Sequence, residues 1–144
     1  MTKTSVAVGC ACLAGLALMA GALASAGRGG ATPAHSAVVV ERDFHLAVSP
    51  TTVAAGTVVF HVQNHGPDAH ELIVVRDHGP LPLRADGITI DEEKLAKQEV
   101  GGLEPAGAGA NRTLEVTLAP GRYVLFCNMY GHYMGGMHAV VIAR

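Results

Sequence analysis

Along most of the chain, apolar and polar residues alternate with period two, the spacing that turns one face of an extended strand inward and the other outward. Between Thr57 and Asn64, Val58, Phe60 and Val62 fall on one face, while Thr57, His61 and Gln63 fall mostly on the other. Residues 112–118 repeat the pattern, with Leu114, Val116 and Leu118 inward and Thr113, Glu115 and Thr117 outward. Less regular runs at 38–48, 70–76, 122–127 and 138–143 predict further strands, separated by the turn pairs Ser49-Pro50, Ala55-Gly56, Gly66-Pro67 and Pro120-Gly121. One segment reads as helix, Asp91 to Gln98, with Asp91 placed to cap the first turn and Glu93 four residues before Lys97. Together with the Gly- and Pro-rich residues 77–87 it makes a long insertion between the strand ending near Arg76 and the one starting near Arg112. Short strands, frequent turns and one brief helix predict an all-β fold, a Greek-key β-sandwich or barrel with the helix in the insertion.

The first residues break this pattern. Lys3 is followed by an uncharged run from Thr4 to Gly27 dominated by Ala, Val, Leu and Gly, and Ala24-Ser25-Ala26 supplies small residues of the kind a signal peptidase cuts. Residues 1–26 are therefore expected to be a signal peptide directing export to a periplasmic or other extracytoplasmic space. The alternative is an uncleaved membrane anchor, since about 20 apolar residues suffice to span a bilayer. Residues 27–37, rich in Gly, Ala, Thr and Ser, read as a flexible lead-in, and 38–144 as the domain.

Cleavage changes the cysteine arithmetic. Cys10 and Cys12 leave with the leader, and Cys127 stays alone. A lone thiol in an oxidising compartment is a liability unless something occupies it; the alternative is a buried, inert cysteine. Charge excludes another class of partner. Ten Lys and Arg stand against twelve Asp and Glu, a net of −2 with no basic run, which argues against nucleic acid.

The segment Tyr123 to His138 carries the chemistry. Cys127, His132 and Met137 are each separated by four residues, directly after one apolar strand and before another, so one loop can supply three metal donors. A thiolate and two imidazoles in a trigonal plane, with a distant thioether on the axis, make up the donor set of blue-copper electron-transfer sites. The second imidazole is expected from His70, which follows the Gly66-Pro67 turn, opens the strand Leu72-Ile73-Val74-Val75 and shares a face with Leu72 and Val74. His45 and His61 read as mid-strand residues on polar faces, His35, His65 and His78 lie in loop-like sequence, and His138 begins the last strand. Met129 and Met134 read as packing, the commoner role of Met.

The stretch from Val53-Ala54-Ala55-Gly56 through Phe60, Asn64, Gly66-Pro67 and His70-Glu71-Leu72, and then Leu118 to Met137, resembles the cupredoxins, the plastocyanin, azurin and rusticyanin group. Its Cys-x4-His-x4-Met spacing is nearer that of rusticyanin and auracyanin than the tighter loop of plastocyanin. The resemblance implies one copper held by His70, Cys127, His132 and Met137, and single-electron exchange with redox partner proteins; the uncharged loop around His132, with Met129, Tyr130, Tyr133 and Met134, is where they are expected to dock. Glu71 departs from the Asn usual after the first ligand in plastocyanins and azurins; its N–H can reach the Cys127 sulfur and its carboxylate Asn128.

Rival copper functions fare differently. Multicopper oxidases show His-x-His pairs, which this chain lacks; copper nitrite reductases place His beside the ligand Cys, where this chain has Phe126. The binuclear domain of terminal oxidases has a second loop Cys, and position 131 is Gly. Four protein donors also leave no open position for a substrate, so an enzyme is not expected. A periplasmic copper-delivery or copper-storage protein, using the loop's Met and His as transient ligands, is the second reading.

Overall fold

The computed structural model describes Met1 and residues 32–144. The expected leader, with Cys10 and Cys12, lies outside the described residues, as does the first part of the lead-in. Among the described residues no helix is long and apolar enough to cross a membrane.

Nine strands among the described residues form two sheets. They are β1 (Ser36–Arg42), β2 (His45–Ser49), β3 (Thr52–Val53), β4 (Gly56–Asn64), β5 (His70–Arg76), β6 (Glu99–Ala106), β7 (Asn111–Leu118), β8 (Gly121–Phe126) and β9 (His138–Ala143). One sheet runs β2-β1-β4-β7 and the other β3-β9-β8-β5-β6, an open sandwich. β1 pairs parallel with β4 and β3 with β9; the remaining neighbours are antiparallel. The sheet takes in residues assigned above to the lead-in: β1 starts at Ser36, and Ala34 bridges Val53.

The inward faces are those the alternation predicts. Val58, Phe60 and Val62 of β4 meet Leu114, Val116 and Leu118 of β7, together with Leu72 and Val74 of β5 and Leu125 of β8, in one buried core. Each such side chain contributes about 1.5–3 kcal/mol when fully buried. The other face of β5 is buried too. Ile73 and Val75 pack with Phe126 beneath Leu81, Ile90 and Leu95 of the insertion. That explains the unbroken apolar run of β5, which is covered on both sides.

Three elements differ from expectation. The helix is one turn, α1 (Glu92–Leu95); Asp91 makes no side-chain cap and instead pairs with Lys94 at 2.6 Å. The chain then turns into β6, a strand not foreseen, on the sheet edge, where Pro105 costs no ladder bond to an outer neighbour. The run 38–48 is two strands. Arg42 pairs with His45 across a two-residue turn, Asp43-Phe44, and Phe44 has φ 57°. Left-handed backbone costs a residue with a Cβ about 1–2 kcal/mol, so this turn must be held by its surroundings.

Candidate metal centre

The Cys127–Met137 loop crosses one end of the sandwich between β8 and β9. It is wound on itself by backbone bonds: His132 N–H to Met129 O (2.8 Å), Met137 N–H to His132 O (2.9 Å) and Cys127 N–H to Met137 O (3.1 Å). Gly136, at φ 107°, lets the chain reverse into β9. This winding folds the four-residue spacings back toward one point.

At that point the side chains of His70, Cys127 and His132 converge, with one potential ligand atom from each lying within 4.8 Å of the others. His132 Nδ1 lies 3.4 Å from Cys127 Sγ and 3.3 Å from His70 Nδ1. All three residues are buried, whereas His35, His45, His61, His65, His78 and His138 are exposed. Burial also separates the methionines. Met137 is 0 % exposed and part of the core, Met134 is 55 % exposed, and Met129 is half-buried against the core.

His70 is held from behind. Its Nε2 lies 3.1 Å from Asp43 Oδ1, an acceptor position that favours the tautomer with the proton on Nε2 and the Nδ1 lone pair free. Burial, and next the neighbouring His132, hold the His70 pKa below the ordinary imidazole value. The ring therefore stays neutral at neutral pH, the form that binds cations. Burial pushes the Cys127 thiol up to about 11, against the backbone N–H groups of Met129 and Glu71, which point to the sulfur and favour the thiolate. A cation entering the site must displace that thiol proton.

Glu71 faces away from the donors. Its Oε1 accepts the Asn128 N–H at 3.0 Å, and it lines a groove of about 230 Å³ with Glu92, Glu99 and Glu104. Burial, then Glu92, raises its pKa. Asn128 ties the loop to the insertion: its amide accepts from Ile90 N–H (2.6 Å) and donates to Ile90 O (3.0 Å) and Glu92 Oε1 (2.5 Å).

Two residues absent from the sequence reading stand beside the donors, Asp43 against His70 and Phe44 against His132, the latter with ring centroids 5.3 Å apart in an edge-to-face contact. The local signal was thin: Asp43 is a favoured turn residue, but Phe44 beside it is not, and the surrounding run 38–48 hid the break. Two imidazoles and a sulfur buried together suit a soft or borderline transition metal better than a hard cation, which prefers oxygen.

Comparison with known proteins reaches the fold through structure alone; neither family models nor curated protein sequences give a match. A reduced auracyanin from Roseiflexus castenholzii superposes with a TM-score of 0.58 at 22% identity, over 78% of this chain and 98% of that one. Auracyanin A from Chloroflexus aurantiacus, a "blue" copper protein, gives 0.56 at 20% over 76% and 98%. Rusticyanin from Thiobacillus ferrooxidans gives 0.53 at 18% over 76% and 78%. With its two sheets, its strand-to-loop geometry and these neighbours, the chain has the cupredoxin fold.

Proposed function

We propose that His70, Cys127, His132 and Met137 hold a single copper ion, and that the protein, exported by its N-terminal leader, carries single electrons between redox partners. The observation that carries this reading is the convergence of two buried Nδ1 atoms and one buried sulfur at one end of the sandwich. Their chemistry fits copper: thiolate suits Cu(I), and imidazole suits both oxidation states. When bound there, copper supplies a one-electron couple.

The chain's own residues do the rest. The pairing of His70 with Ala106 of β6 and the hydrogen bonds of the 127–137 loop hold the backbone that carries the donors, so little has to move when the charge changes. Met137, wholly buried at the end of the loop, would supply a thioether as the fourth donor. Four protein donors exclude a substrate from the coordination sphere, which favours a carrier over an enzyme. His132 is 7 % exposed beneath Phe44, and its loop also exposes Tyr130 and Met134; this apolar surface suits a partner docking for electron transfer.

Copper loading tests the reading against delivery or storage. The carrier predicts one copper per chain, an intense visible thiolate band, and Cu(I) that resists a competing chelator. A colourless Cu(II) form, or Cu(I) lost readily to the chelator, favours delivery.

A further inference from the structure

The hairpin turn between β1 and β2 places both of its residues on the two imidazoles. Asp43 grips the far nitrogen of His70 at 3.1 Å, and the Phe44 ring lies edge-to-face on His132. The surroundings are cut to fit. A Cβ on Gly66 would come within 2.6 Å of Asp43 Oδ1 and 2.9 Å of His70 Nε2, and a Cβ on Gly135 would collide with the Phe44 ring. Two segments distant in sequence have thus made room for one turn.

Phe44 is also out of place by ordinary criteria. It is a bulky residue with left-handed backbone, 52 % exposed, so core burial does not account for its conformation. The turn's base is anchored instead. Glu41, fully buried, accepts from Arg112 at 2.6 Å, and its carbonyl accepts the His65 N–H at 2.9 Å.

Building on the copper reading, we infer that Asp43-Phe44 is a positioning clamp for both histidines: Asp43 fixes the His70 tautomer and adds negative charge behind it, and Phe44 holds and shields His132. A carboxylate behind a ligand imidazole makes the ring a stronger donor and stabilises the more highly charged metal state. Phe44, seated over the Gly135-Gly136 corner, restrains the loop from opening.

The first test needs no copper. Nitrogen-15 NMR of the metal-free protein should show His70 protonated at Nε2, and Asp43→Ala should lose that preference. A wild-type His70 protonated at Nδ1, or a tautomer indifferent to Asp43→Ala, overturns the Asp43 half whether or not copper binds. In the copper-loaded protein, Asp43→Asn keeps an acceptor but removes the charge. It should retain the visible band and raise the Cu(I)/Cu(II) ratio at a fixed potential about tenfold, about 59 mV. Phe44→Gly relieves the backbone, so its thermal midpoint should hold or rise while copper passes to a chelator about tenfold faster, a preference glycine explains and lost packing alone does not. An unchanged potential in the first variant, or an unchanged release rate in the second, overturns the corresponding half. Failure of the wild-type protein to take up copper counts against the proposed function instead, and leaves the tautomer result to decide the clamp.

Discussion

His70 and His132 reach the same point from unlike settings. His70 begins β5, is wholly buried, and has its far nitrogen tied to Asp43. His132 sits in a wound loop, keeps a sliver of exposure, and is covered by an aromatic ring that is itself half in solvent. The difference teaches a division of labour. The strand side buries the site, and the loop side brings it close to the surface.

The harshest way to break the comparison is to remove the donor both halves share. Cys127→Ala should abolish the visible band and the reversible electrochemistry while the cupredoxin fold persists, as absorption, voltammetry and circular dichroism would show. Next comes Met137. An oxygen donor favours Cu(II) and loss of the thioether favours Cu(I), so Met137→Gln should lower the potential and Met137→Leu raise it, each by about tenfold in the redox ratio, about 59 mV. Met134→Leu, on the exposed side of the loop, should move it far less. A strong shift from Met134 and none from Met137 would place the axial ligand wrongly.

Two glycines sharpen the contrast in stability. Gly66→Ala pushes a Cβ against Asp43 and the His70 ring, the latter fully buried with no solvent side to move into, and should cost about 1–3 kcal/mol in urea denaturation. Gly135→Ala meets only the half-exposed Phe44 ring, which can swing into solvent, so its cost should be smaller. Equal losses would erase the distinction between the two sides.

The smallest effect belongs to Glu71. Its carboxylate is bonded beside Cys127, and a nearby negative charge favours oxidised copper, so Glu71→Gln should keep the band and raise the potential. Because its pKa lies above the usual glutamate value, the wild-type potential should climb as pH falls through that raised range, and the climb should vanish in the variant. Stability follows the same group: a raised folded pKa favours the fold at low pH, and that contribution is lost as pH rises through the folded value.

What the sequence revealed tracks how local the cause is. β4 and β7 were legible because each buries one face and alternates cleanly. The convergence of Cys127 and His132 was legible because their spacing is local, and that of His70 because a turn and a strand face located it. β6 was hidden by Gly101, Gly102 and Pro105, which blur the alternation and are tolerated on an edge. The expected helix shrank because the turn at Leu95–Gln98 hands the chain to that strand. Asp43 and Phe44 were invisible for a different reason. Asp43 meets its partner 27 residues away, and Phe44 occupies a turn position that favours Gly or Asn, so nothing nearby in sequence announces the contact either one makes.

The claim that one copper is held by the same donors in both oxidation states is tested most directly by X-ray absorption on the oxidised and reduced copper-loaded protein. The predicted result is one short copper–sulfur and two copper–nitrogen distances in each state, changing little on reduction, with the short sulfur signal gone in Cys127→Ala. Loss of an imidazole or gain of an oxygen donor on reduction, or a sulfur signal that survives Cys127→Ala, would contradict it.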